Sequence, residues 1–224
     1  MDFQGREFCR KLVFEHRSRL GTRSQSPFWD VKGKRCEISG RLFFYSDQVI
    51  ESPGNRNLDT LLLADHVPAQ IRIGYIPSTA DPDRQFFRNK AAYYGEYGVR
   101  HLLFFDLYGK FDRGKVSDLL ACDIIHLSAG NPLQFRQSLM ARGISTILRD
   151  YYHAGGTLVG VSGGAVQLGQ SARLFQLLTG SLDDSVDSGS DLRTLQLVDF
   201  DFLPHFNRWT EPVTRVGEIL QISG

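Results

Sequence analysis

The pentapeptide Gly160-Val161-Ser162-Gly163-Gly164 carries the clearest chemistry in this chain. It follows an apolar run, Thr157-Leu158-Val159, and precedes a helix-like stretch, Ala165-Val166-Gln167-Leu168-Gly169-Gln170. Between a strand and a helix, Gly-x-Ser-x-Gly puts the serine on a sharp turn with its hydroxyl exposed. Glycines suit such a turn because side chains collide where the backbone reverses so tightly. The Gly163 N–H, at a helix start, would face the same space and favour negative charge. The pattern points to a serine nucleophile with half of an oxyanion hole. A glycine-rich phosphate loop or a plain strand-to-helix turn is the other reading of the same residues.

A serine nucleophile needs a base within hydrogen-bond reach. Of the six histidines, His16 lies in an atypical N-terminal region, and His66 and His101 precede or begin strands. His126 falls inside a strand and reads as a core residue. His153 ends a helix, where its charge suits the dipole. His205 stands apart, in Phe202-Leu203-Pro204-His205-Phe206-Asn207, after a strand-like run over 195–202. Pro204 fixes a turn that leaves the imidazole at a loop mouth. The order, serine before histidine, is that of α/β hydrolases. His205 is the expected base.

The elements that must position these residues are legible from about residue 41 onward. Short apolar runs at 41–45, 71–76, 99–105, 123–127 and 157–161 read as strands. Helical patterns intervene at 58–63, 83–97, 115–120 and 132–153, the last as one helix or two in succession. In the second of these, Phe86, Phe87, Ala91 and Tyr94 fall on one side. Pro53-Gly54 reads as a turn. Strands that are apolar throughout, alternating with helices, predict an α/β three-layer sandwich around a mostly parallel sheet. Ligands in such folds bind beyond the carboxyl ends of the strands. Ser162 and the loop Ser128-Ala129-Gly130-Asn131 both fall there.

Residues 1–39 differ. Lys and Arg outnumber Asp and Glu up to Arg35, with one helix-like piece at 3–20 and a loop at 21–27. They are expected to form a basic extension, partly disordered, on a catalytic domain at 40–224. The 224 residues, 42% hydrophobic, suffice for a sizeable core. A formal net charge of +1 argues against a dedicated nucleic-acid binder. No run approaches a membrane span, and the charged N-terminus lacks a signal-peptide core. Cys9, Cys36 and Cys122 form neither a disulfide framework nor a metal-ligand spacing. Cytoplasmic location, no cofactor, and a monomer or homodimer are expected.

Three ordered blocks give a more specific likeness: Ser128-Ala129-Gly130-Asn131-Pro132-Leu133-Gln134, the elbow Gly160 to Ala165, and Pro204-His205-Phe206. Together they resemble peptidase family S51, the dipeptidase E and cyanophycinase group within the class I glutamine amidotransferase-like, flavodoxin-like fold. The resemblance spans roughly residues 41–220. It implies Ser162 as nucleophile, His205 as general base, and the N–H groups of Gly130 and Gly163 as the oxyanion hole. It implies a short peptide as substrate, with N-terminal Asp a favoured residue. Asn131, Gln134, and Arg208 or Arg215 are the candidates to bind it, a guanidinium being well matched to a carboxylate.

The chain departs from the family pattern. Its loop reads Ser-Ala-Gly rather than a glycine-rich run, and its elbow reads Ser-Gly-Gly rather than Ser-Ala-Gly. In the family the acid partner of the histidine is a glutamate after a further strand, which this chain is expected to lack. Glu211 and Glu218, or Asp183, Asp184 and Asp187, are the candidates in its place. An esterase or amidase on the same scaffold, or a ligand-binding relative without turnover, are the alternatives.

Overall fold

The structure is a computed structural model, and it describes residues 40–179 and 191–206. Its strands are β1 (Arg41–Tyr45), β2 (Arg72–Ile76), β3 (His101–Phe104), β4 (Ile124–Leu127) and β5 (Thr157–Val161). They form one sheet in the order β1-β5-β4-β2-β3, and every pairing is parallel. All of β4 and β5 is buried, which is why their sequences are apolar on both faces. Parallel pairing puts the carboxyl ends of β1, β5 and β4 side by side at one edge.

The helices are α1 (Pro53–Leu63), α2 (Gln85–Gly95), α3 (Val116–Leu120), α4 (Pro132–Ala141), α5 (Ile144–His153), α6 (Gly163–Leu168) and α7 (Arg173–Thr179). Two cores flank the sheet. Ile73, Ile124, Val159 and Val161 pack with Leu62 and Leu63 of α1 and Tyr94 of α2. On the other face, Ile76, Ile125 and Leu158 pack with Leu119, Phe135, Leu139, Leu148, Tyr151 and Leu168, from α3 to α6. Adjacent strand residues such as Ile124 and Ile125 divide between the two cores, as a period of two requires. The fold is the α/β three-layer arrangement expected from the strand–helix alternation.

Four local readings change. Pro53 opens α1 rather than closing a turn: Ser52 Oγ accepts the Asn55 N–H, and proline fits a first helical position. The run 132–153 is two helices, divided where Gly143 takes a φ of 68°. On α2 only Tyr94 is buried, while Phe86 is 55% exposed. Residues 195–202 are no strand. Their backbone instead meets the end of α6 and the turn after it, with Leu195 N–H to Gln167 O, Gln196 N–H to Gly169 O and Leu197 N–H to Leu168 O. The last carbonyls of a helix lack intrahelical partners, and this segment supplies donors to them.

That segment delivers His205. Phe200 and Phe202 pack tilted against Phe44 of β1, with ring centroids 5.7 and 5.4 Å from its own. The chain then turns at Pro204, which is buried, onto the carboxyl edge of the sheet.

Candidate active site

Ser162 follows β5 with φ 50° and ψ −113°, a conformation that costs a non-glycine residue on the order of 1–3 kcal/mol. Its backbone is committed on both sides. The N–H donates to Tyr45 O at the end of β1 (2.8 Å), and the carbonyl accepts from Ala165 and Val166 (2.9 and 3.1 Å). These bonds hold the strained turn in place. The serine hydroxyl lies 2.9 Å from His205 Nε2. His205 itself has φ 57°. The nucleophile and base expected from sequence are thus in contact, 43 residues apart in the chain.

The glycines around Ser162 are needed for close approach. A Cβ on Gly163 would fall on the carbonyl oxygen of Gly130, and one on Gly164 on that of Leu127. The elbow therefore packs directly, backbone on backbone, against the loop after β4. An alanine after the serine would have no room here. Gly130 has φ 149°, in the range side chains rarely adopt, and a Cβ there would meet Ser78 Oγ.

The loop 128–131 is fixed from several directions. Ser128 N–H donates to Ile76 O (3.1 Å), and Ser128 Oγ accepts from Ser78 N–H (2.8 Å). The Ser78 hydroxyl donates to Ala129 O. Gln167, 1% exposed on α6, ties the two halves together. Its Nε2 donates to Pro132 O of α4 (2.9 Å) and to Gly163 O of the elbow (3.1 Å). Gly130 and Gly163 thus adjoin, as a two-amide oxyanion hole requires.

Asn131 Oδ1 accepts from the N–H groups of Leu133 and Gln134 (2.9 and 3.1 Å), so this oxygen caps α4. Gln134 is exposed on the first turn of α4. Arg208, Arg215, Glu211, Glu218, Asp183, Asp184 and Asp187 lie outside the described residues, as does the extension 1–39.

The other described histidines sit elsewhere in the fold; His66 follows α1, its N–H donating to Leu63 O (3.0 Å). His126 is fully buried in β4, with Nδ1 3.0 Å from the Tyr94 hydroxyl and its ring stacked on Tyr75. Burial, and then the Lys90 charge, holds its pKa well below that of an ordinary imidazole. His101 starts β3 and is exposed, and His153 is the last residue of α5. Cys122 is buried, which pushes its thiol pKa up to about 11 and makes it a core residue rather than a nucleophile.

Two residues at the site escaped the reading of the sequence. One is Gln167, which looked like any polar residue of a short helix. The other is Asp47, whose Oδ2 lies 3.4 Å from His205 Nδ1. Its only sequence signal is its place just past the end of β1, the strand beside β5.

Among the described residues, no helix is long and apolar enough to cross a membrane. No group of three or more His, Cys, Asp or Glu in them could hold a metal ion.

Two solved structures share this architecture. One is a candidate peptidase E protein from Listeria monocytogenes EGD-e, with TM-score 0.62 and 22% identity, covering 82% of this chain and 87% of that one. The other is a peptidase from an acI-B1 Actinobacterium, with TM-score 0.59 and 17% identity, covering 82% of this chain and 76% of that one. At these identities the likeness is one of fold. No curated protein sequence matches the chain. The profile of Peptidase family S51 matches residues 43–222, which include the elbow, the loop before α4 and the histidine turn. The chain belongs to peptidase family S51.

Proposed function

We propose that the protein is a serine peptidase that hydrolyses short peptides through an acyl-enzyme, favouring peptides with N-terminal Asp. One observation carries the reading: a serine on a strained strand-to-helix elbow with its hydroxyl 2.9 Å from an imidazole nitrogen. Ser162 Oγ attacks the scissile carbonyl as His205 Nε2 takes its proton. The carbonyl oxygen becomes an oxyanion, accepting from the Gly130 and Gly163 N–H groups. His205 then gives the proton to the leaving amine, leaving an ester on Ser162. Water, deprotonated by the same nitrogen, hydrolyses that ester and restores the serine. The peptide lies across the edge formed by the ends of β1, β5 and β4. Asn131 and Gln134 border it, and Arg208 binds the substrate's acidic side chain. The enzyme works in the cytoplasm as a monomer or homodimer.

The test uses a fluorophosphonate probe, an aspartyl p-nitroanilide, and Asp-X and Ala-X dipeptides followed by released amine. Labelling of wild type but not of Ser162→Ala, with faster cleavage of the aspartyl substrates, is the expected result. Hydrolysis no faster than that of Ser162→Ala defeats the peptidase reading. Turnover of p-nitrophenyl esters alone makes the protein an esterase.

A further inference from the structure

His205 Nδ1 is shielded from solvent and makes no hydrogen bond to any described residue. The carboxylate oxygen that faces it is Asp47 Oδ2, at 3.4 Å. That is an ion-pair separation, a few tenths of an ångström longer than a hydrogen bond. We propose that Asp47 is the positioning residue of the catalytic histidine, so that the triad is Asp47, Ser162 and His205, with its acid supplied by the end of β1. The inference rests on the peptidase reading above.

The fold explains why an acid can come from this place. Tyr45 and Val161 are paired in register at the ends of β1 and β5, and the Tyr45 carbonyl accepts the N–H of Ser162. Asp47 lies two residues beyond Tyr45 and Ser162 one beyond Val161, so acid and nucleophile leave neighbouring strands at one edge. The histidine arrives from the segment packed against Phe44 of the same β1. Acid and base are therefore both referenced to β1.

The backbone at Asp47 is anchored on either side. The Tyr45 hydroxyl donates to Asp59 Oδ1 (2.8 Å), and Asp59 is fully buried. Gln48 Nε2 donates to the same oxygen (3.2 Å), and Gln48 Oε1 accepts from Lys90 Nζ (2.6 Å). Asp59 Oδ2 in turn accepts from the hydroxyls of Tyr93 and Tyr97. Residues 45 and 48 are thus fastened to a buried polar network of α1 and α2, and Asp47 is held between them. A positioning group must be fixed by its surroundings to act as one.

The chemistry follows from the tautomer. With its proton on Nδ1 and directed at Asp47, the imidazole presents a bare Nε2 to the Ser162 hydroxyl. When Nε2 takes the serine proton, the resulting imidazolium keeps its Nδ1–H against a carboxylate. Catalytic hydrogen bonds in unliganded sites are often long and tighten when substrate binds. Closing the present gap requires movement of only about half an ångström.

Asp47→Asn, Asp47→Ala and Asp47→Glu, with Glu211→Gln, Glu218→Gln and Ser162→Ala for comparison, test the assignment in the full chain. Asn can donate an N–H to Nδ1 and so favours the wrong tautomer. Asp47→Asn is expected to lower kcat and the fluorophosphonate labelling rate by roughly 10³–10⁴. KM should stay within about threefold, because the interaction matters only as the proton moves. Asp47→Glu, one methylene longer, should keep kcat within about tenfold of wild type. The 15N shifts of His205 should report Nδ1–H in wild type and Nε2–H in Asp47→Asn. Matched thermal transitions establish that the variants fold, and if Asp47→Ala does not, Asp47→Asn and the tautomer decide.

Undiminished kcat in Asp47→Asn, or a loss confined to Glu211→Gln or Glu218→Gln, overturns the proposal while Ser162→Ala still upholds the peptidase reading. If wild-type Ser162 never reacts, the peptidase reading fails, and the His205 tautomer still decides whether Asp47 orients the ring.

Discussion

Replacing Gln167 with methionine tests how far the tie from Gln167 to α4 helps to hold the proposed oxyanion loop in place. Gln167 is buried on α6; its Nε2 donates across to Pro132 O of α4 (2.9 Å) and back to Gly163 O, one turn earlier in α6 (3.1 Å). Methionine has nearly the same length and volume but donates nothing, so packing is kept and only the tie is lost. Two hydrogen bonds at a net ~1 kcal/mol each give a loss of about 2 kcal/mol. For a domain of this size that corresponds to a fall in Tm of about 4–8 °C. The larger effect should be on rate. Untied, α4 and the Gly130 loop can drift from the elbow, and a misplacement of about 1 Å at a reacting centre can lower turnover by about 10². Complete loss of one oxyanion donor, roughly 10²–10³, sets the upper bound. The assay is kcat for an aspartyl p-nitroanilide beside differential scanning calorimetry of the same preparation. A Gln167→Met protein with wild-type kcat and Tm would refute the claim that this side chain holds the loop. A lowered Tm with unchanged kcat would show that the tie stabilises the fold but does not set the geometry of the hole.

Further predictions follow from the same structure. Gly163→Ala forces a Cβ onto the Gly130 carbonyl oxygen; kcat should fall by about 10² with fluorophosphonate labelling slowed in parallel, and unimpaired labelling would contradict the close approach. His126 is kept neutral by burial, so its folded pKa lies below its unfolded value. The unfolded chain then binds the extra proton as pH drops below about 6.5, and stability should fall by up to about 1.4 kcal/mol per pH unit below that point. His126→Phe should remove this part of the slope in denaturant melts at pH 5–7; an unchanged slope would exclude His126 as its source. Lys90 is pushed down to about 8 by burial. The unfolded chain keeps that proton up to about pH 10.4, so wild type should gain stability relative to Lys90→Met between those values; melts at pH 7.5 and 9.5 showing a constant difference would refute this.

Much of the architecture is local enough to read from residues. Short, mostly apolar runs such as Ile124-Ile125-His126-Leu127, rich in β-branched residues, read as strands covered on both faces, and their alternation with helices points to a parallel sheet. Ser162 and His205 were legible because each carries its own punctuation, glycines around one and proline before the other. The segment 195–202 was misread because β-like composition also suits an extended chain whose donors are taken up by a helix end. Pro53 was misread because proline serves a turn and a helix start equally well, and only Ser52 distinguishes them.

What the chain determined by itself is the candidate pair, Ser162 and His205, and the class of fold, since steric demands at the elbow and burial of the strands act over a few residues. What only the tertiary structure decided is their company. Asp47 faces His205 because β1 pairs with β5, and Gln167 joins two loops because α6 packs beside α4. Strand order and helix packing bring together residues 35 positions apart in the one case and more than a hundred in the other, and no local spacing encodes such a meeting. It arises when two cores close on either side of one sheet and bring the ends of β1, β5 and β4 to the same edge.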